Sequence, residues 1–217
     1  VEIYTLQSDT ENKIELYIYL LDNDLKDIFS LFIQNILEDI EKDVTESEAI
    51  KTTLNVVSKW KKLFDKINFN GLSIKQQKGL IGELLFLKYL LNNEKTSANA
   101  VNAWTGTEME FQAKDFTLGS VGVEIKFTSS KQPRIKVSNE RQLDAENLSD
   151  LFLVLYSTEA VKDNGVSLNS LVTQTRQAIS TNEERSIFNA KLQLNGYFDE
   201  DSEHYGRMYS LKKTFAF

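Results

Sequence analysis

The residues with the clearest chemical potential lie near the middle of the chain, where Asp115 is followed nine positions later by Glu124-Ile125-Lys126. On a strand, Glu124 and Lys126 would extend from one face, because side chains alternate along an extended backbone. A short turn centred near Gly119 would place Asp115 about opposite Glu124 on the neighbouring strand. Two adjacent carboxylates repel each other, and a hard divalent cation with oxygen ligands relieves that repulsion. The neighbouring lysine could hold an attacking water or balance the charge on a phosphate.

The same spacing has a simpler interpretation, which is a cross-strand salt bridge on a solvated face of a sheet. The Glu-x-Lys triplet is common in proteins, so the salt bridge is favoured for the triplet taken alone. Because Asp115 precedes the triplet at hairpin distance from Glu124, the salt bridge is less strongly favoured over a metal site when all three residues are considered. Both interpretations require a β-hairpin, and they differ in whether the side chains converge.

A further carboxylate, Glu83, lies in residues 79–87, whose apolar side chains recur at helical spacing. Glu83 shares the apolar stripe of that helix, where a carboxylate is costly unless it is paired or bound to a metal. Glycine in a helix interior costs ~1 kcal/mol relative to alanine, so Gly79 and Gly82 suggest the close approach of another backbone. A place in the site, a capping role and a buried partnership with a lysine all remain open for Glu83.

Two other segments carry residues suited to nucleic acid. Trp104-Thr105-Gly106 precedes the predicted hairpin, and its tryptophan could stack on a base or pack beneath the site, of which packing is favoured. Residues 131–142 form a basic segment in which charged and apolar residues alternate. Its candidates for contacts to phosphate and, for the glutamine, to a scissile group are Lys131, Arg134, Lys136, Arg141 and Gln142. A solvated strand edge protected by lysine is the alternative.

Composition excludes several other chemistries. The 217-residue chain has no cysteine and one histidine, His204, which excludes thiolate nucleophiles, zinc ribbons, iron–sulfur clusters and two-histidine metal sites. Any metal would therefore use carboxylates, carbonyls and water, the ligands of magnesium, manganese or calcium. The absence of cysteine fits a reducing compartment, so we expect a cytoplasmic protein. No apolar run reaches the ~18 residues of a membrane span, so we expect no membrane partner.

Charge is unevenly distributed along the chain. The net charge is −7, which argues against a general nucleic-acid coat. Residues 71–142 hold ten Lys or Arg and seven acids, a net charge of +3, so the remainder carries −10. Such a basic segment within an acidic protein could face phosphate, and ordinary surface variation explains it equally well.

Hydrophobic periodicity separates an N-terminal part from a core. Residues 1–70 are predicted to form a mainly helical annex, with a short strand near 14–21, a helix from Asp24 and a second helix that begins at a capping box over 45–48. The apolar stripe of the second helix is expected to be buried, and it comprises Ile50, Leu54, Val57, Trp60, Leu63, Phe64 and Ile67.

Residues 71–217 are predicted to form a mixed α/β core. Its predicted elements are a helix from a capping box at 73–76 to about Leu91, a polar loop at 92–99, a hairpin over 109–117 and 121–128, a strand at 134–138, a short helix at 139–146, a buried strand at 151–156, helices at 168–180 and 183–194, and a strand at 205–217. The chain stops inside that last strand-like pattern, so we expect the core to continue beyond Phe217.

The ordered set of Glu83 on a helix, Asp115 and Glu124-Ile125-Lys126 on strands and Gln142 on a later helix resembles the PD-(D/E)XK nuclease superfamily, the restriction-endonuclease-like fold. Within it, the chain resembles an uncharacterised branch associated with restriction or phage-defence genes. In the superfamily's signature a proline precedes the aspartate, a position held here by Lys114, but that proline is often absent. The closer likeness covers about residues 71–217 and rests on residues 79–84, 104–106, 115–116, 123–128 and 141–144.

The resemblance implies a central mixed β-sheet flanked by helices. It also implies hydrolysis of a phosphodiester with Mg²⁺, for which Mn²⁺ is an alternative. Lys126 would position the attacking water, and Gln142 would support the site. The metal ligands that the resemblance implies are Asp115, Glu124, the carbonyl of Ile125 and, directly or through water, Glu83.

We therefore expect a Mg²⁺-dependent endonuclease that hydrolyses DNA phosphodiester bonds in restriction or phage defence. DNA is the expected partner, with a homodimer or the subunits of a restriction or defence system as further candidates. The alternative is a non-catalytic nucleic-acid-binding or assembly subunit that retains the nuclease fold, which the acidic net charge and the helical annex favour. A carbohydrate or small-molecule hydrolase is a more distant alternative, because the lysine and the basic segment favour phosphate.

Overall fold

The computed structural model of the chain describes residues 2–7, 14–42, 45–64, 71–93, 97–105, 114–130 and 148–217. The chain divides into two compact units, Val1–Asp65 and Lys66–Phe217. Among the described residues, no helix combines the length and the apolar character that a membrane span requires. All the predicted site residues belong to the second unit.

The first unit combines a β-hairpin with two helices. Strand β2 lies where a short strand was predicted, and it pairs antiparallel with β1, which was not predicted. The two helices pack through Phe32 and Trp60, whose ring centroids lie 5.5 Å apart. The elements in chain order are β1 (Glu2–Gln7), β2 (Ile14–Tyr19), a short 3₁₀ helix (Asn23–Leu25), α1 (Lys26–Ile40) and α2 (Glu46–Phe64).

The buried face of α2 differs from the predicted one. Val56 and Trp60 are each 3% exposed, whereas Ile50 and Leu54 are 53% and 56% exposed. The prediction that these two side chains are buried is therefore wrong, because both are exposed. The side chains of Leu63, Phe64 and Ile67 lie outside the described part of the chain.

The second unit is a mixed α/β structure. Its described strands form a sheet in the order β3-β4-β5-β6, in which β4 and β5 are parallel and the outer pairs are antiparallel. A buried apolar cluster joins this sheet to the helices, which confirms the predicted α/β architecture. The elements in chain order are α3 (Ile74–Asn93), α4 (Ser97–Ala103), β3 (Phe116–Leu118), β4 (Val121–Thr128), β5 (Asp150–Val161), α5 (Leu168–Ala178), α6 (Asn182–Leu194), a 3₁₀ helix (Asp199–Tyr205) and β6 (Met208–Ala216).

A two-residue turn determines how β3 and β4 face each other. Gly119 and Ser120 connect the strands, and Gly119 has a φ of +62°, a conformation that favours glycine. The resulting register pairs Phe116 with Val123. The hairpin lies where the alternation predicted it, although residues 109–113 of the predicted first strand are outside the described ranges.

Helix α3 approaches β4 closely at Gly82. A Cβ atom built at Gly82 would lie 3.1 Å from Cγ2 of Ile125 and 3.3 Å from Cβ of Phe127. Among the described residues, and apart from the neighbouring backbone of α3 itself, no atom lies within 4 Å of the corresponding position at Gly79, so packing there requires glycine at Gly82 but not at Gly79. Because Glu83 follows Gly82, it lies on the turn of α3 that contacts the sheet.

Some segment boundaries differ from the predicted ones. Residues 92–99 were predicted to be a loop, but α3 continues to Asn93 and α4 begins at Ser97. The hydroxyl of Ser97 donates to Glu184 of α6, a contact that no local pattern signals. Strand β5 also extends beyond the predicted 151–156. The predicted strand at 134–138 and helix at 139–146 lie outside the described residues.

Candidate active site

Asp115 and Glu124 lie next to each other at the open end of the β3–β4 hairpin. Asp115 immediately precedes, and Glu124 immediately follows, the terminal pair of the hairpin. Oδ2 of Asp115 accepts a hydrogen bond from the backbone N–H of Ile125 at 2.6 Å. In an extended strand, the N–H and C=O of one residue point to the same side, so the carbonyl of Ile125 also faces the side of β4 on which Asp115 lies.

Glu124 and Lys126 extend from the same face of β4, and their charged groups are in contact. Nζ of Lys126 lies 2.5 Å from Oε1 of Glu124, and the two side chains are 19% and 1% exposed. Oε2 of Glu124 is buried and has no hydrogen-bond partner among the described residues. A buried polar atom without a partner is costly, so this oxygen is suited to a cation or to a donor group.

Glu83 is held by a hydrogen bond from a buried tryptophan. Nε1 of Trp104 donates to Oε2 of Glu83 at 2.8 Å. The charges of Glu124 and Lys126 act on the pKa of Glu83 in opposite directions, so Glu83 lies within electrostatic reach of both. Glu83 lies in the interior of α3 rather than at its end, so it does not cap the helix, and its place in the site stays a prediction.

Burial raises the pKa of all three carboxyl groups. The pKa of Asp115 rises to about 8, because the group is buried and because Glu83 and Glu124 carry negative charge nearby. Burial is also the main cause of the raised pKa of Glu83, which the bond from Trp104 opposes. At Glu124 the contact with Lys126 opposes the rise in pKa caused by burial. The group therefore favours protons or other cations over three separate negative charges.

The carboxylates do not form a complete metal site. Within the ranges that the structure describes, no group of three or more His, Cys, Asp or Glu side chains is arranged to hold a metal ion. The donor types nevertheless fit a hard divalent cation, because they are carboxylate oxygens and because Oε2 of Glu124 is buried without a donor. The predicted ligands thus stay a prediction.

Trp104 does not have the predicted contact with nucleic acid. The residue is fully buried, and its ring packs on Phe188 with the ring centroids 5.7 Å apart. A ring without an exposed face cannot stack on a base, so that prediction is wrong, and the packing alternative describes its position. The remaining predicted contacts are in residues that the structure does not describe, namely Lys131, Arg134, Lys136, Arg141 and Gln142.

Thr105 and Lys114 support the site, although neither was predicted to do so. The backbone N–H of Thr105 donates to the carbonyl of Asp115 at 3.0 Å, and its hydroxyl donates to the carbonyl of Lys114. Lys114 is 7% exposed, and its charge opposes the rise in the pKa of Glu124. No signal in the sequence separates this buried lysine from a surface lysine, and only its place beside Trp104 singles out Thr105.

The structure places Glu83 on a helix, Asp115 before one strand and Glu124-Ile125-Lys126 on the next, which is the order of elements on which the resemblance to PD-(D/E)XK nucleases was based. The model of the DUF4420 family, described as "Putative PD-(D/E)XK family member", matches residues 2–217. The chain belongs to this family, which confirms the predicted superfamily and fold and indicates a nuclease. The match includes the first unit, in which no motif was recognised. No curated protein and no solved structure matches the chain significantly.

Proposed function

We propose that the chain is a Mg²⁺-dependent endonuclease that hydrolyses DNA phosphodiester bonds in restriction or phage defence. The observation that carries the proposal is the group of three carboxyls beside Lys126, of which Glu124 is buried and Glu83 and Asp115 are half-buried, and in which Oε2 of Glu124 has no partner among the described residues. Such a group resists accumulating negative charge, and it becomes stable when a divalent cation is added. Membership of a PD-(D/E)XK family supports hydrolysis of a phosphodiester as the reaction.

The ligands of the cation would be Asp115, Glu124 and the carbonyl of Ile125, with Glu83 bound directly or through water. Bound there, Mg²⁺ or Mn²⁺ would stabilise charge on a phosphate oxygen and lower the pKa of a bound water. The backbone N–H of Ile125 orients Asp115 through the bond to Oδ2, and Thr105 holds the backbone of Asp115.

Lys126 would orient the attacking water and balance charge on the scissile phosphate. Its Nζ atom lies beside Oε1 of Glu124, so the ammonium is already positioned at the carboxylate that would bind the cation. The basic segment 131–142 would contact the DNA backbone, with Gln142 as support for the site. That part of the proposal rests on the sequence alone.

The direct test is cleavage of plasmid and linear DNA by the full chain with Mg²⁺ or Mn²⁺. Asp115→Asn and Lys126→Met should each lower cleavage by at least ~100-fold, because each removes charge at the reacting group while keeping side-chain volume. Asp163→Asn and Lys212→Met make the same chemical changes at exposed residues and should cleave normally. Normal cleavage by a folded Asp115→Asn or Lys126→Met variant would refute the assignment.

A non-catalytic nucleic-acid-binding or assembly subunit is the second candidate. The net charge of −7 and the first unit, in which no site residue was predicted, favour it. DNA binding that weakens steeply with salt, without cleavage in Mg²⁺, Mn²⁺ or Ca²⁺, would support this candidate over the nuclease.

A further inference from the structure

Trp104 connects Glu83 of the candidate site to helix α6. It follows α4 directly and is fully buried, and its indole N–H donates to Oε2 of Glu83 at 2.8 Å. Its backbone carbonyl accepts a hydrogen bond from Nζ of Lys191 on α6 at 2.5 Å. Trp104 is therefore bonded to α6 through its backbone carbonyl and to Glu83 through its indole N–H.

Lys191 is an unusual anchor, because a lysine is rarely buried. It is 5% exposed, and its Nζ atom donates to the carbonyl of Val101 at 3.1 Å as well as to that of Trp104. Carbonyls at the end of a helix have no N–H partner within the helix, and a lysine side chain can satisfy them. Nζ of Lys191 therefore bonds both to a carbonyl in the last turn of α4 and to the backbone of Trp104, which anchors Trp104 to α6.

The next residue along the chain holds a second part of the site. The N–H of Thr105 donates to the carbonyl of Asp115 at 3.0 Å. The two consecutive residues therefore hold the carboxylate of Glu83 and the backbone of Asp115, which come from different elements. The aromatic contact of Trp104 with Phe188 adds packing but no hydrogen bond to either acid.

We propose that Trp104, anchored by Lys191, is a positioning residue that orients Glu83 for a divalent cation. The inference rests on the proposed function, because it takes Glu83 to be part of the cation site. The indole bonds to Oε2, so the carboxylate of Glu83 is oriented before any ion binds. Hydrogen bonds to metal-binding side chains typically change metal affinity or activity by about 10–100-fold when they are removed.

The first test is Trp104→Phe, which keeps an aromatic ring against Phe188, removes the N–H donor and leaves out part of the buried indole ring. The Mg²⁺ concentration for half-maximal cleavage should rise about 10-fold, and Lys191→Met should raise it by a smaller factor. The control is Phe188→Leu, which disturbs the packing of Trp104 but leaves its N–H in place, and which should leave the Mg²⁺ dependence unchanged. An unchanged Mg²⁺ dependence in a folded Trp104→Phe variant would overturn the inference.

The second test needs no cleavage. The chain has two tryptophans, so its NMR spectrum should show two indole N–H signals, with Trp60 of the first unit as an internal reference. Glu83→Gln should move the signal of Trp104 and leave that of Trp60 in place. Mg²⁺ should also move the Trp104 signal in the native chain but not in Asp115→Asn.

These readouts separate the two proposals. If the Trp104 signal responds to both Glu83→Gln and Mg²⁺ while no DNA is cleaved, the positioning role stands and the nuclease proposal fails. If cleavage depends on Asp115 and Lys126 but the Trp104 signal does not change with Glu83→Gln or with Mg²⁺, the nuclease proposal stands and the positioning role is refuted.

Discussion

Replacing Asp115 with asparagine should stabilise the metal-free protein, although the same change should abolish cleavage. Asparagine retains an oxygen that can accept the bond from the N–H of Ile125. It removes a negative charge that burial and the charges of Glu83 and Glu124 disfavour. The charge required for the proposed reaction is therefore a source of instability until a cation neutralises it.

The size of the effect follows from the pKa of Asp115, which is about 8 in the folded chain and 3.8 ordinarily. One pKa unit corresponds to ~1.4 kcal/mol, so the shift sets a ceiling of ~6 kcal/mol on the loss of stability above pH 8. Entry of water and sharing of protons among the three carboxyls reduce that ceiling, and we expect a gain of about 2 kcal/mol. For a chain of this size, that gain raises Tm by about 4–8 °C.

The sign of the pH dependence is fixed by the direction of the shift. Because the pKa of Asp115 is higher in the folded than in the unfolded chain, the folded state binds more protons between pH 3.8 and about 8. This carboxyl therefore lowers the stability of the native protein as the pH rises through that window. Asp115→Asn lacks this loss of stability. The variant should therefore be about as stable as the native chain around pH 4, and its gain in stability over the native chain should reach its full size above pH 8.

The assay is urea unfolding of both proteins in a metal chelator, at several values from about pH 5 to about pH 8.5. Asp163→Asn, at an exposed aspartate after β5, is the matched control and should change little. Added Mg²⁺ should stabilise the native chain more than Asp115→Asn, because only the former keeps both carboxylates. A variant that is less stable than the native chain near pH 8, or an advantage that does not grow with pH, would refute the reasoning.

Four further changes test the site and its support. Lys126→Met should reduce the rate of cleavage more than it changes binding of DNA, because the ammonium acts on the reacting group; rate and affinity measured separately give the answer. Gly82→Ala should lower the free energy of unfolding by about 1 kcal/mol, because its Cβ would lie 3.1 Å from a side chain of β4. Gly79→Ala, with open space around it, should raise the free energy of unfolding by about 0.5–1 kcal/mol in the same denaturation assay. Arg134→Ala should weaken DNA binding and reduce by about one the slope of log affinity against log salt.

For each of these predictions there is an outcome that would contradict it. A loss in Lys126→Met confined to DNA affinity would make Lys126 a binding residue. Equal effects of the two glycine substitutions on stability would mean that α3 does not need its close approach to β4. A salt slope unaffected by Arg134→Ala would remove that residue from the DNA interface.

The hairpin was predictable because its signals are local. Alternation along β4 assigns Glu124 and Lys126 to one face, and the turn at Gly119 fixes the register opposite β3. A mixed α/β core followed from the order of the elements, whereas the mixed central sheet and the superfamily were implied by a resemblance that rests on residues between Glu83 and Gln142. Only the hairpin needed no more than residues that are close together in the sequence.

The contacts that complete the site were not predictable, because they join distant segments. The bond from Trp104 to Glu83 depends on how α4 packs beside α3, and the anchor at Lys191 depends on α6. The exposed Ile50 and Leu54 show the same limit, because an apolar stripe does not say which of its residues tertiary packing will cover.

The two-residue turn at Gly119-Ser120 restricts how this gene can change in length. Ser120 can be replaced without disturbing the pairing of the strands, whereas Gly119 has a φ of +62°, which other residues adopt only with strain. One added residue that shifts the register would turn Asp115 away from Glu124, because neighbouring residues in a strand point to opposite faces. Among related chains, this loop should therefore vary at Ser120 more readily than at Gly119 or by insertion or deletion. A stretch with no chemical role of its own thus sets a limit on the evolutionary paths that preserve activity.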